Sequence, residues 1–181
     1  MVVSGPSGVG KGTVLSELMK ENDNIYYSVS ATTRQPREGE VHGVNYFFIT
    51  KEQFEKNISE NKMLEYARYC DNYYGTPLAA VEQMRDEGKD VLLEIEPQGA
   101  MQVLSKCEDA ISIFIAPPSL EELQRRLTNR GTESAEVIAA RLQKANEEFK
   151  FSERYQYVVV NDCVETAKDK ISQIILKHKN I

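Results

Sequence analysis

The chain has 181 residues, of which 41% are hydrophobic and 28% are charged, a balance that favours one folded domain and excludes a disordered chain. Its formal net charge of −6 excludes the broad basic surface of a nucleic-acid binder, and its apolar runs are too short to cross a membrane. The three cysteines, Cys70, Cys107 and Cys163, are scattered and odd in number, which predicts a reducing, cytoplasmic compartment rather than disulfides or a metal site.

The first predicted strand, residues 1–4, leads into a glycine-rich loop and then into an amphipathic helix. Glycines let successive backbone N–H groups turn toward one anion, and the helix N-terminus adds partial positive charge. Lys11 is then placed to reach the β- and γ-phosphates of a nucleotide. A glycine-rich turn without a ligand is the alternative. The predicted phosphate-binding residues are Gly5, Pro6, Ser7, Gly8, Val9, Gly10, Lys11, Gly12 and Thr13.

One position departs from the usual phosphate-loop pattern. That pattern places Ser or Thr directly after the lysine, where the hydroxyl binds Mg²⁺, but this chain has Gly12 and only then Thr13. We therefore expect Mg²⁺ to be held through phosphates and water, because this ion keeps its waters readily.

Further along the chain, short runs rich in Val and Ile alternate with helical patterns. The predicted strands are residues 1–4, 26–30, 91–95, 111–116 and 157–160. This alternation predicts an α/β fold with a parallel sheet covered by helices on both faces.

Residues 31–76, rich in Tyr, Thr and Gly, interrupt this alternation and predict an inserted small subdomain. Within it, Thr50 with Gln53 forms a helix-capping box. Thr76 followed by Pro77 predicts the start of a helix.

A second capping box, Ser119 with Glu122, opens residues 120–150, which are predicted to be wholly helical.

Two acidic residues, Glu94 and Glu96, end a predicted buried strand. Because they are two residues apart, their side chains are expected on the same face of that strand. Acidic groups there need a partner, and Mg²⁺-bound water near Glu94 is one interpretation. Solvated carboxylates at the end of a strand are the other.

Arginines cluster within this acidic chain, which indicates small anionic ligands because the guanidinium fork binds phosphate with two parallel hydrogen bonds. The clustered residues are Arg34 and Arg37 in one stretch, and Arg125, Arg126, Arg130 and Arg141 in another.

A series of segments resembles guanylate kinases, in that family's order and over nearly the whole chain. A phosphate loop alone would be shared with many kinases, so the serial match is the more specific signal. The segments are residues 28–40 (SVSATTRQPREGE), 43–48 (GVNYFF), 64–67 (LEYA), 72–76 (NYYGT), 98–99 (QG), 130–132 (RGT) and 159–162 (VVND).

The resemblance implies an α/β, P-loop three-layer fold with a parallel core sheet, a small inserted GMP-binding subdomain and a helical lid. The core would comprise residues 1–30, 77–119 and 151–181, the subdomain residues 31–76 and the lid residues 120–150. The implied reaction is ATP + GMP ⇌ ADP + GDP with Mg²⁺, and dGMP is expected to replace GMP.

The resemblance also implies a role for individual residues. Ser30, Glu65 and Thr76 would read guanine, with Glu96 at the guanine edge, where many relatives carry Asp. Arg34, Arg37, Tyr46 and Tyr74 would hold the GMP phosphate, and Asn161 would lie beside the adenine of ATP. The catalytic set would be Lys11, Arg37, Arg126, Arg130 and Arg141.

Each of these residues also has a structural interpretation. Thr76 is a good N-cap, Glu65 could be an exposed acid, and Arg130 could stabilise a helix end. Tyr46 and Tyr74 could be packing residues. For the whole chain, the alternatives are a kinase for another monophosphate and a kinase-like scaffold that binds protein partners.

Overall fold

The computed structural model describes residues 1–69, 71–129 and 135–179. It is an α/β structure in which the chain forms two compact units. The first unit comprises Met1–Val2 and Asn24–Ala110, and the second comprises Val3–Asp23 and Ile111–Ile181. No helix in the described ranges is long and apolar enough to cross a membrane.

The strands and helices have the following bounds. The strands are β1 (Val2–Ser4), β2 (Ile25–Tyr27), β3 (Ala31–Thr32), β4 (Phe47–Phe48), β5 (Met63–Tyr69), β6 (Asn72–Pro77), β7 (Asp90–Glu94), β8 (Ser112–Ala116) and β9 (Tyr157–Val160). The helices are α1 (Lys11–Lys20), α2 (Lys51–Ser59), α3 (Leu78–Asp86), α4 (Pro97–Lys106), α5 (Leu120–Thr128), α6 (Ala135–Phe149) and α7 (Val164–Lys179).

The first unit contains two sets of paired strands. One has the order β2-β7-β1, in which β2 runs parallel to β7. The other is a four-stranded sheet of order β4-β3-β6-β5, in which β6 is antiparallel to both of its neighbours. Phe54 of α2 is fully buried against this sheet, among Ala31 and Met63, and its ring stacks on that of Tyr73 at 5.1 Å between centroids.

The second unit contains the strand order β1-β8-β9, in which β8 and β9 are parallel, so the division between the units falls inside β1. Strand β8 is buried along its whole length, as expected for a strand covered on both faces. A small cluster of Leu123, Leu127 and Ala145 joins α5 to α6. Lys168 of α7 is buried and binds Glu21 just beyond α1, at 2.6 Å.

The structure confirms the predicted strands, with ends shifted by a few residues, and the N-caps of two helices. The hydroxyl of Thr50 accepts from the backbone N–H of Gln53 at 3.2 Å. That of Ser119 accepts from Glu122 at 3.1 Å. Within residues 120–150, predicted to be wholly helical, the structure has the helices α5 and α6, and residues 130–134 lie outside the described residues.

Two local predictions are wrong. Thr76 does not cap a helix: it lies in β6, and the predicted helix, α3, begins at Leu78 with Pro77 as its N-cap residue. Glu94 and Glu96 do not end one strand face, because β7 stops at Glu94 and Glu96 is the exposed N-cap residue of α4. Thr76 stays in the sheet because β6 pairs with β5, where Thr76 lies opposite Glu65.

Candidate active site

In the second unit, β1 runs into the glycine loop, and α1 begins at Lys11. At two positions of this loop, the space around the backbone requires glycine. Gly5 has φ +152°, and a Cβ there would collide with the carbonyl oxygen of Ile115. Gly10 has φ +90°, and a Cβ there would press on the side-chain amide of Asn161. The left-handed backbone and the close neighbours therefore both demand glycine.

The side chain of Lys11 folds back over this loop. Its ammonium donates to the carbonyl oxygens of Gly5 at 2.5 Å and Pro6 at 3.1 Å. An ammonium group has three donors on a flexible stem. Lys11 is thus held at the loop by weak neutral acceptors, which a phosphate oxygen can replace.

Two side chains hold the glycine-rich loop through the backbone carbonyl of Val9. This carbonyl accepts from the side-chain amide of Asn161 at 2.8 Å and from the guanidinium of Arg126 at 3.3 Å. Val9 and Asn161 are both buried. The role of Asn161 beside adenine stays a prediction; in the structure, its side chain supports the glycine-rich loop.

Arg126 is oriented by a carboxylate on its own helix. Its Nε donates to Glu122 at 2.8 Å, and Arg125 donates to the same carboxylate. These guanidinium groups lower the pKa of Glu122 to about 2. Arg141 lies half-buried on α6. Arg130 lies outside the described residues.

In the first unit, Glu65 of β5 lies directly opposite Thr76 of β6. Glu65 is only 3% exposed, and its carboxylate accepts a hydrogen bond from the hydroxyl of Thr76 at 2.7 Å. Burial raises the pKa of Glu65 to about 7, although the hydrogen bonds from Thr76 oppose the shift. The interpretation of Glu65 as an exposed acid is therefore wrong.

Arg34 forms a two-pronged ion pair with Glu40. Its two terminal nitrogens lie 2.9 and 2.8 Å from the two carboxylate oxygens. The backbone N–H of Arg37 donates to the same carboxylate at 2.7 Å. These donors lower the pKa of Glu40 to about 2. The side chain of Arg37 is exposed.

Two tyrosines extend the site from Arg34 toward Thr76. The guanidinium carbon of Arg34 lies 5.5 Å from the ring centroid of Tyr46, which meets Tyr74 edge to face at 6.0 Å. Burial raises the pKa of Tyr46. Tyr74 and Thr76 are two residues apart on β6 and therefore face the same side. Glu65, Thr76, Tyr74, Tyr46 and Arg34 thus form one continuous polar surface.

The remaining predicted residues lie around these groups. Ser30 is half-buried just before β3, and its carbonyl accepts from the N–H of Phe47 at 2.9 Å. Glu96 is close enough to raise the pKa of Glu65 by charge repulsion. In the loop, Gly12 and Thr13 are both exposed, and a Cβ at Gly12 would meet nothing within 4 Å.

Sequence reasoning missed Tyr27. Its hydroxyl donates to Glu94 at 3.1 Å, so the partner of this strand-end acid is a phenol. Burial, followed by the charge of Glu94, raises the pKa of Tyr27. The only sequence signal is that Tyr27 and Glu94 each lie in a predicted strand, residues 26–30 and 91–95. Among the described residues, no group of three or more His, Cys, Asp or Glu side chains could hold a metal ion.

Known proteins resemble the chain over nearly its whole length. Residues 1–178 match the family model of guanylate kinase. A guanylate kinase of Lactococcus lactis is 56% identical over 175 residues, which are 97% of this chain and 85% of that protein. One of Clostridioides difficile is 54% identical over 180 residues, 99% of this chain and 88% of that protein. The crystal structure of guanylate kinase from Anaplasma phagocytophilum matches with a TM-score of 0.80 and 37% identity, covering 97% of this chain and 83% of that one.

Proposed function

Because this chain belongs to the guanylate kinase family, a family of ATP:GMP phosphotransferases, we propose that it phosphorylates GMP, and dGMP, through the residues described above. The observation that carries the assignment is the buried pair of Glu65 and Thr76. A carboxylate is rarely buried without a strong hydrogen-bonding partner. For Glu65, the guanine base of GMP would supply the remaining hydrogen-bond donors.

Guanine presents N1–H and N2–H₂ donors side by side, so the carboxylate of Glu65 can accept from both. Adenine presents a lone pair at N1, which a carboxylate repels. The hydroxyl of Thr76 already donates its proton to Glu65, so its role is to orient the acid, and Ser30 is the better donor to O6. A site built from such groups rejects the wrong base by roughly 10⁴-fold, because its buried polar atoms would go unpaired.

The phosphate of GMP would bind at the other end of the polar surface. Arg34 and Arg37 supply charge there, and the hydroxyls of Tyr46 and Tyr74 supply neutral donors. Both terminal nitrogens of Arg34 donate to the carboxylate of Glu40. The phosphate of GMP would therefore have to displace this carboxylate or bind Arg34 alongside it. Glu96 would border the guanine edge.

The glycine loop would hold ATP, with its N–H groups and Lys11 on the phosphates. Asn161 would support the loop and border adenine. Arg126, Arg130 and Arg141 would neutralise charge on the moving phosphoryl group. The proposed ATP-binding residues are Gly5, Pro6, Ser7, Gly8, Val9, Gly10, Lys11, Gly12, Thr13 and Asn161.

We treat Mg²⁺ as part of the Mg·ATP substrate rather than as a resident ion. Glu94, the carboxylate considered for it, is bound to Tyr27, and Gly12 offers no hydroxyl. When bound with ATP, the ion would offset the charge of the phosphates.

Phosphoryl transfer leaves little covalent work to the protein, so positioning and charge stabilisation account for the catalysis. No general base is needed, because the attacking oxygen of the GMP phosphate is already anionic. Residues 31–76 are proposed as the GMP-binding part, residues 120–150 as a lid and the remainder as a core. The cytoplasmic location stays a prediction.

The function is tested by measuring ADP formation from Mg·ATP with GMP, dGMP, AMP, UMP and CMP offered in turn. Turnover with GMP and dGMP alone is expected. Turnover with another base would keep the phosphoryl transfer but reject the assignment of Glu65. No turnover with any of them would favour the scaffold alternative.

Lys11→Ala is expected to reduce turnover with GMP by about 10³-fold or more, because it removes a positive charge that would stabilise the phosphoryl group during its transfer. Circular dichroism should be unchanged, because the hydrogen bonds from the Lys11 ammonium to the carbonyls of Gly5 and Pro6 lie within its own loop. Lys20→Ala, at the far end of the same helix, is the matched control. Near-normal turnover of Lys11→Ala would contradict the assigned role.

A further inference from the structure

Three residues of α4 lie on one helical face, against β5. They are Gly99, Gln102 and Lys106, at spacings of three and four residues, which bring side chains to the same side of a helix. Strand β5 is at the end of its sheet, in the order β4-β3-β6-β5. One edge of β5 therefore offers backbone groups that no other strand of this sheet pairs.

Gln102 takes the place of a neighbouring strand at this edge. Its amide nitrogen donates to the carbonyl of Tyr66 at 2.7 Å, and its amide oxygen accepts from the N–H of Tyr66 at 3.2 Å. One side chain thus satisfies both backbone groups of one residue, as the opposite residue in a ladder would.

Lys106 holds the backbone on the other side of the same position. Its ammonium donates to the carbonyl of Leu64 at 2.6 Å. The residue between Leu64 and Tyr66 is Glu65. The helix therefore fixes the backbone immediately before and immediately after the carboxylate that we assign to guanine.

Gly99 brings the backbone of the helix up to the carboxylate itself. A Cβ at this position would overlap Oε2 of Glu65. The other oxygen, Oε1, accepts from Thr76 on β6. The carboxylate is thus confined between β6 and α4, and its orientation depends on how α4 is attached to β5.

We propose that Gln102 and Lys106 are positioning residues that set the selectivity for guanine, by attaching β5 to α4 so that the Glu65 carboxylate is aligned with N1–H and N2–H₂ of the base. Neither residue needs to touch the base. The inference rests on the proposed function of Glu65.

The charge of Lys106 adds a second effect. Burial raises the pKa of Glu65, while the hydrogen bonds from Thr76 lower it; among nearby charges, Lys106 lowers it and Glu96 raises it. Lys106 therefore favours the ionised carboxylate, which is the form that accepts two donors. Gln102 is neutral and contributes position alone.

The test compares Gln102→Ala and Lys106→Met with the parent protein. Both are expected to raise KM for GMP about tenfold, the effect of one weakened hydrogen bond to a charged group. kcat and KM for ATP should stay within about twofold of the parent. Inosine monophosphate lacks the 2-amino group and forms one bond fewer to Glu65, so the ratio of kcat/KM for GMP to that for inosine monophosphate should fall.

Matched control variants distinguish a specific rise in KM for GMP from a general loss of folding or stability. Gln83→Ala removes an exposed glutamine of α3 whose side chain donates to Glu87, the residue that follows this helix. Lys56→Met removes an exposed lysine that pairs with Glu60 at 3.8 Å. Both controls should keep the parent KM for GMP, and thermal unfolding should show each variant folded at the assay temperature.

The pH dependence of kcat/KM for GMP shows whether the charge of Lys106 acts on Glu65 or whether Lys106 only packs against β5. In Lys106→Met the acid limb of kcat/KM for GMP should move to higher pH, because Glu65 then ionises at a higher pH. Lys106→Arg should restore the limb, and Gln102→Ala should leave it in place. In a Glu65→Gln background, Lys106→Met and Gln102→Ala should cause little further loss.

Two results would overturn the inference while leaving the function intact. One is a parent that phosphorylates GMP and variants whose KM and base preference are unchanged. The other is an equal loss from Lys106→Met and Gln102→Ala with and without Glu65. A parent without GMP turnover would instead reject the proposed function, and the inference with it. If Lys106→Met does not fold, Gln102→Ala alone decides the positioning role.

Discussion

The carboxyl group of Glu65 titrates within the physiological range because it is buried, and two predictions follow at the scale of this residue. GMP should bind the ionised form, so binding near pH 7 should release about half a proton from a group with a pKa of about 7. Calorimetry in buffers of different ionisation enthalpy measures this release. Glu65→Gln provides the correction for titration of the GMP phosphate, and an equal release from that variant would contradict the prediction.

The same group should make stability depend on pH. Its pKa rises from 4.5 to about 7 on folding, so the folded state retains a proton that the unfolded chain loses. The stability that this group contributes is therefore fully present below pH 4.5 and is lost as the pH rises through about 7, by up to about 3 kcal/mol.

Glu65→Gln cannot ionise, so its stability relative to the parent should increase between pH 4.5 and 7 and then level off. Urea unfolding at several pH values measures this difference. A constant difference across that range would mean that the burial of Glu65 does not shift its titration.

At the scale of single elements, α5 depends on its cap. The hydroxyl of Ser119 accepts from the N–H of Glu122, and Arg126 on the same helix supports the glycine loop. Ser119→Ala should lower the free energy of unfolding by about 1 kcal/mol, the usual cost of a lost N-cap. Ser59→Ala, at the end of α2, is the control, and equal unfolding midpoints for the two variants would contradict this.

The elements also show where sequence reasoning succeeds and where it fails. Caps such as that of Ser119 are predicted correctly because donor and acceptor lie three residues apart. The cap assigned to Thr76 is wrong because its hydroxyl binds Glu65, 11 residues away, across two strands. Gln102 carries no sequence signal, since its partner Tyr66 is 36 residues away and only the packed helix brings them together.

At the scale of the whole molecule, each compact unit carries the residues assigned to one nucleotide. Each nucleotide at about a hundredfold excess over its Kd should stabilise the protein by about 2.7 kcal/mol. Lys11→Ala should retain the full rise in Tm caused by GMP and show a smaller rise caused by ATP. Glu65→Gln should retain the full rise caused by ATP and show a smaller rise caused by GMP, which it still binds at higher concentration. Differential scanning calorimetry measures both. Loss of both responses in either variant would contradict separate sites.

For the whole chain, the order of the resembling segments was enough to predict the α/β fold, the family and the reaction. The contacts within the site were not predictable in this way. The sequence predicts that Arg34 binds phosphate, but it does not predict the ion pair of Arg34 with Glu40, which depends on the path of a loop. The support of Val9 by Asn161 spans 152 residues, a separation at which no local pattern is informative.

The ion pair of Arg34 and Glu40 has a kinetic consequence. A guanidinium whose charge is offset by a carboxylate projects little field into solvent. The long-range attraction of a phosphate dianion therefore falls to Arg37, which is exposed nearby. Arg37 should govern how fast GMP arrives, in a salt-dependent way, whereas Arg34, once it has exchanged its carboxylate for the phosphate, should govern how long GMP stays.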